Sequence, residues 1–227
     1  MTVRLASKAS LQKGPGEIVE SALRRGIVLG TLEPGAVLRE MDLAHQFNCS
    51  QGTVREALMR LSEEGLVTRR ARRDTHVAPA QPEDAGELLR IRHDIECRSA
   101  KRVIAAQDPA LIDDLSDLLQ AMRLAALQED EYALLQSDCQ FHLRLFESAG
   151  MPVVEPVLQR CLVHSQRFKI LNTAPETRML LETANRHVSI VEALQTSDAV
   201  ALEAALSHHI STIVDFGPDV LPSQPKA

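Results

Sequence analysis

Tryptophan is absent from this 227-residue chain, tyrosine occurs once and phenylalanine five times, so aromatics make up only 3% of it. Any large core must therefore be built from Leu, Ile, Val and Ala, which suits a helical bundle. Cysteine is also sparse: Cys49, Cys97, Cys139 and Cys161 are scattered with no CxxC pair, which argues against a disulfide framework and against a thiolate zinc site. They read as small buried hydrophobes. No run approaches eighteen apolar residues, and the first thirty residues carry charges without an apolar h-region. Neither a membrane span nor a secretory signal is indicated, and the expected location is the cytoplasm. What is present is 44% hydrophobic residues, enough for genuine cores in one or two domains.

The net charge of -6 hides an asymmetry. Residues 1 to 80 hold twelve Lys or Arg against nine Asp or Glu, a net +3, while residues 81 to 227 hold thirteen against twenty-two, a net -9. A mildly basic part can approach a polyanion and an acidic part cannot easily do so, which fits a nucleic acid on one side only.

The stretch Ser50 to Leu66 organises the basic part. Ser50 is a good N-cap, Val54, Leu58 and Leu61 recur at helical spacing, and Gly65 is placed to end the helix. Gln51, Gly52, Thr53 and Arg55 then occupy the exposed N-terminal turn, the part of such a helix that meets base edges and phosphates in a major groove. Upstream, Gly16 to Leu29 is an amphipathic helix with Ile18, Val19, Ala22, Leu23 and Ile27 on one side. Pro34-Gly35 marks a tight turn, and Glu40 to Phe47 offers a short half-buried helix, so the unit is a helix-turn-helix. Downstream, Leu66 to Arg70 and Thr75 to Val77 read as two short strands of a basic wing. Its Arg69, Arg70, Arg72 and Arg73 suit phosphate contacts.

These motifs together, Gly30-x-Leu32-x-Pro34-Gly35, Leu38-Arg39-Glu40-x-x-Leu43-Ala44 and Ser50-x-x-x-Val54-Arg55-Glu56-Ala57-Leu58-x-x-Leu61-x-x-x-Gly65-Leu66-Val67, resemble the winged helix of GntR-type bacterial transcription regulators over about residues 16 to 78. The resemblance implies that Arg55 contacts DNA, with Ser50 and Thr53 in support and Arg39 as a further contact. The chain departs from the family at Gln51 and Met41, where arginines are usual, and at Asp74, where Gly is usual. Gln favours adenine where Arg favours guanine, so Gln51 implies a changed operator.

Ala78-Pro79-Ala80-Gln81-Pro82 breaks every periodic pattern and places a linker at 79–83, between a DNA-binding domain at 1–78 and a helical domain at 84–227. Helices are expected at Asp84 to Gln107, Pro109 to Gln128, Asp130 to Ala149, Pro152 to Leu171, Thr177 to Gln195 and Asp198 to Phe216, an antiparallel bundle of six or seven. Polar residues interrupt three apolar stripes. Asp138 and His142 fall among Leu135, Leu145 and Ala149; His187 among Leu180, Ala184, Val191 and Leu194; and His209 among Leu202, Ala205, Ile213 and Phe216. His187 and His209 flank Ser197 by ten and twelve residues, so in an antiparallel hairpin rising about 1.5 Å per residue they lie at nearly one height. A single inward histidine is an ordinary core residue. Three imidazoles and a carboxylate buried without partners are expensive, and one divalent metal satisfies all four.

The arrangement resembles the FCD domain of the FadR-like branch of that family, on Asp138-x-x-Phe141-His142-x-x-Leu145, His187, Leu206-x-x-His209-Ile210 and Arg92-x-x-x-Glu96. The resemblance implies that Asp138, His142, His187 and His209 hold Zn, Ni, Mn or Fe, and that the protein is a homodimer. Arg186 stands where Glu is common and Met151 where Asn is common; neither removes a ligand. Open metal positions leave room for a small carboxylate effector, and Arg92 either grips its free end or forms an intrahelical pair with Glu96. The expected function is a DNA-binding regulator, a repressor of a double-stranded operator, controlled by an organic acid. A constitutive DNA binder with a structural metal is the alternative. A metallohydrolase or oxidase is disfavoured, because there is no Glu-x-x-His pair and no general base beside the ligands.

Overall fold

A computed structural model of the chain describes residues 14–69 and 75–212, which form two compact units, one containing Thr31–Ala78 and most of the first helix and the other the chain from Pro79 on. The first unit opens with α1, Pro15–Val28, whose Val19, Leu23 and Ile27 are buried at the four-residue spacing of a helix face. Ile18 and Ala22, expected on that face, are exposed instead. Each precedes a buried residue by one position, about 100° around the axis, and so falls at the edge of a narrow stripe.

Gly35, at φ +84°, closes the turn after Pro34, and the chain then forms β1, Val37–Leu38. Sequence reasoning gave no sign of β1, since two residues are too few to show alternation. Next come α2, Glu40–Gln46, and α3, Gln51–Glu63, followed by β2, Val67–Arg69, and β3, Thr75–Val77. The antiparallel sheet has the order β1-β3-β2, with Leu38 opposite Thr75 and Arg69 opposite Thr75 from the other side. Val54, Leu58 and Leu61 of α3 are fully buried. The helix ends as its composition requires: Gly65 takes φ +76°, its N–H donates to the Ser62 carbonyl at 3.0 Å, and Leu66 N–H donates to Leu61 at 2.9 Å.

The second unit is helical: α4 (Pro82–Ala106), α5 (Leu111–Leu127), α6 (Glu131–Glu147), α7 (Glu155–Asn172), α8 (Leu180–Asn185), α9 (Val188–Gln195) and α10 (Ala199–Ser211), seven α-helices among the described residues. α4 packs against α6, α7 and α10, and α5 against α6, α8 and α9. The core is mostly aliphatic, one cluster drawing Leu115, Met122, Leu145, Ile190, Leu202 and Leu206 together with Phe141, and a second holding Phe146, Leu158 and Leu162. None of the helices among the described residues is long and apolar enough to cross a membrane. The four cysteines are free, and burial raises the Cys97 thiol to about 12 and the Cys161 thiol to about 11.

One expected helix is broken. Instead of running from Thr177 to Gln195, the chain makes a 3-10 turn at Pro175–Thr177 and then α8 and α9, parted at Arg186 and His187. At the break the Ala184 carbonyl accepts both the His187 N–H, at 3.2 Å, and His187 Nδ1, at 3.1 Å. A side chain is thus competing for a backbone acceptor, which interrupts the helix while keeping His187 fully buried.

Candidate functional site

The exposed face of α3 is prepared by its cap. Ser50 Oγ accepts from Thr53 N–H at 3.1 Å and lies 2.9 Å from Thr53 Oγ1, so these two side chains fix the first turn that presents Gln51 and Gly52 to solvent. Arg55 projects from the same turn, 58% exposed, and meets the Glu40 carboxylate: Nη2 at 2.8 Å and Nε at 3.1 Å. Arg69 of β2 reaches the other Glu40 oxygen at 3.4 Å. Hydrogen bonding to Arg55 holds the Glu40 carboxyl below its ordinary range against a small opposing effect of burial. Glu40 therefore gathers two arginines, a role sequence reasoning missed although it quoted the Leu38-Arg39-Glu40 motif. Arg39 is 62% exposed and 3.9 Å from Asp42. Arg72 and Arg73, the expected wing contacts, lie outside the described residues.

In the second unit the three interrupted stripes converge. Asp138 and His142 come from α6, His187 from the break between α8 and α9, and His209 from α10, and one ligand atom from each lies within 4.8 Å of the others. All four are buried. The His187 and His209 rings are 4.4 Å apart at their centroids, His142 is 5.0 Å from His209, and Phe141 stacks edge-on against His187 at 4.9 Å. Ile213 and Phe216, expected on the His209 stripe, lie outside the described residues.

The hydrogen bonds decide which nitrogens are free. Glu96 Oε2 sits 2.6 Å from His142 Nδ1, which makes that nitrogen the donor and leaves the lone pair on Nε2. His187 Nδ1 is likewise engaged by the Ala184 carbonyl, so its Nε2 is also a lone pair. That Nε2 lies 3.0 Å from Asp138 Oδ1 yet makes no hydrogen bond, and His209 Nδ1 is buried without a partner. His142 Nε2 and His209 Nε2 face each other at 3.2 Å. An imidazole lone pair and a carboxylate oxygen 3.0 Å apart in a dry interior, as at His187 and Asp138, repel unless a cation lies between them, so the donor set fits a divalent metal.

Protonation follows the same pattern. Burial holds His142 and His209 below the ordinary histidine range, His209 well below because His187 and His142 press the same way; neutral imidazole is the ligating form. Burial alone raises Asp138, but the nearness of His187, with His142 and Arg92, outweighs it and holds the carboxyl well below its usual range. Glu96 is similarly raised by burial and brought down to about 2 by His142 and Arg92.

Arg92 is buried on α4, its Nε 2.6 Å from Glu96 Oε1 and its Nη2 2.9 Å from His142 Nε2. The expected intrahelical pair is present, and the same guanidinium also touches the cluster. Sequence reasoning missed Gln166 of α7, whose Nε2 donates to Asp138 Oδ2 at 2.7 Å and to the Leu135 carbonyl at 3.0 Å. Its only signal was an amide flanked by Ser165 and Arg167 in a helix that is otherwise buried on that side.

With the geometry in view, residues 15–77 match the family described as bacterial regulatory proteins, gntR family, and residues 87–212 match the FCD domain. Similar proteins include the probable D-xylose utilization operon transcriptional repressor of Paenarthrobacter nicotinovorans, 30% identical with 85% of this chain and 86% of that one covered. The HTH-type transcriptional repressor RspR of Escherichia coli K12 is 28% identical, covering 84% and 83%. The solved structure of E. coli McbR/YncC superposes with a TM-score of 0.72 at 22% identity, covering 88% of this chain and 94% of that one, which speaks for the fold. These relatives are transcription regulators and not enzymes, which removes the metallohydrolase and oxidase alternative.

Proposed function

Since the chain belongs to the GntR family of bacterial regulatory proteins and carries an FCD domain, and so is a DNA-binding transcription regulator, we propose that it is a cytoplasmic homodimeric repressor of the FadR-like branch, relieved or engaged by a small organic acid. Its domains divide at 78, with a linker at 79–83 whose last two residues already belong to α4. Arg39, Ser50, Gln51, Thr53 and Arg55 contact a double-stranded operator, with Arg72 and Arg73 on the backbone phosphates. Asp138, His142, His187 and His209 hold a divalent ion, Zn, Ni, Mn or Fe. The ion supplies a Lewis-acidic anchor for a carboxylate.

A single observation carries the sensor reading: His187 Nε2 and Asp138 Oδ1 stand 3.0 Å apart without a hydrogen bond, the other ring nitrogen being engaged by the Ala184 carbonyl. Arg92 completes it. Its N–H now rests on the His142 nitrogen that a metal would take, and an effector carboxylate is the natural replacement acceptor. Metal analysis of purified protein is expected to give one ion per chain. Organic acids should raise the melting temperature of the metal-loaded form and leave the stripped form unmoved. Much less than one ion, with His142→Ala and His209→Ala melting as the parent does, sinks the metal site. The burial of all four ligands favours a second reading, a structural metal in a constitutive DNA binder. A metal-loaded protein indifferent to every acid would select it.

A further inference from the structure

Two cations border the Asp138 cluster. Lys169 of α7 lies one turn beyond Gln166, the residue that holds Asp138, and among the described residues its Nζ rests only on Thr183 Oγ1 of α8, at 3.4 Å. Arg186 follows three residues after Thr183, at the break between α8 and α9. Its Nη2 donates to the carbonyl of His209 at 3.2 Å and to Thr212 Oγ1. Both side chains are half-buried, and among the described residues neither forms an ion pair with a carboxylate. Three other half-buried arginines are paired with carboxylates, Arg24 with Glu20 and Glu64, Arg144 with Asp108 and Asp114, Arg178 with Glu131 at 2.8 Å, while Arg123 rests on Asn185 Oδ1 at 2.9 Å.

The acidic groups nearby do not satisfy them. Glu131 is committed to Arg178, Glu182 is exposed, and Asp138 accepts from Gln166 and faces His187 Nε2. Thr183, which Lys169 reaches, lies three residues before Arg186, so the two cations border the same stretch of chain. Two like charges kept together at the edge of a buried site are relieved by an anion between them.

We propose that Lys169 and Arg186 form a subsite for a second acidic group of the effector, making that effector an organic dianion such as a short dicarboxylate. The inference rests on the reading of the bundle as an acid sensor and sharpens its ligand class. The ion that Asp138 and the imidazoles would hold anchors one end, and the Lys169/Arg186 pair selects for a charge at the other. Neither cation is a ligand of the metal.

The full-length protein loaded with zinc is titrated with malonate, succinate, glutarate and adipate, each against the monocarboxylate of equal chain length. At least one dicarboxylate should bind about tenfold or more tightly than its monocarboxylate partner. Lys169→Met and Arg186→Gln should lose that preference while binding the monocarboxylate as before, and Lys169→Arg, which keeps the charge, should retain it. Melting of the unliganded variants checks that they fold. Equal affinity for each matched pair, or a preference that survives both neutral variants, overturns the subsite and leaves the sensor standing. Failure of every acid to bind the zinc-loaded protein brings down the sensor reading as well.

Discussion

Two arginine–glutamate pairs, alike in chemistry, show what separates the two units. In the winged helix Arg55 meets Glu40 at 2.8 Å with the arginine 58% exposed; in the bundle Arg92 meets Glu96 at 2.6 Å with the two side chains 1% and 2% exposed. Water can replace either partner of the first pair, so Arg55 can leave Glu40 for a phosphate or a base edge at small cost. Nothing replaces a partner of the second. Its charges were taken out of water only because each has the other, and Glu96 also orients His142. The exposed pair is thus a contact surface in waiting, and the buried pair is the frame of a site.

The comparison breaks most sharply at Glu96. Glu96→Ala leaves a buried guanidinium unpaired and releases His142, and should lower stability by about 3–5 kcal/mol in denaturant unfolding. A loss similar to that of a surface change would mean the pair is not a buried frame. Metal removal comes next. Stripping the ion should reduce stability by about 3–4 kcal/mol relative to protein held at several hundred to a thousand times the metal's Kd, reversibly on adding zinc back. His142→Ala should abolish that dependence.

The exposed side yields smaller and different effects. Arg55→Ala should weaken specific operator binding on the order of tenfold to a hundredfold, read by titration at fixed salt, with the melting temperature unchanged. Loss of folding instead would place Arg55 in the frame rather than at the surface. Glu40→Gln should have the smallest effect, and its pH dependence carries a sign. Arg55 depresses the Glu40 carboxyl, so whatever the pair contributes is present above the ordinary glutamate range, roughly pH 4.3, and is lost as pH falls through the lower folded value. The difference in melting temperature between parent and variant should be flat near neutrality and disappear in acid. A difference that grows on acidification contradicts the pairing.

Local elements were largely legible. The spacing of Val54, Leu58 and Leu61, the cap at Ser50 and the stop at Gly65 all act within a few residues of one another, and α3 took the expected course. The stripes holding Asp138, His142, His187 and His209 were legible for the same reason, because a helix repeats its own periodicity whatever it packs against. Less legible was anything that depended on a distant partner. Ile18 and Ala22 share the periodicity of α1 but sit at its solvent edge, and the helix expected through His187 breaks because His187 Nδ1 competes for the Ala184 carbonyl. Gln166 and Glu40 carry no local mark of the partners they hold.

By itself, then, the chain's order of residues determined which segments are helical, which faces are apolar and which polar side chains interrupt them, since these rest on backbone sterics and contacts a turn apart. Only the tertiary structure decided that Glu96 sits against His142, forty-six positions on, and that lone pairs on α6, α10 and the α8–α9 break point at a common centre. Those facts depend on how helices pack. Packing is set by the summed shapes of many side chains, and no single stretch of sequence contains it.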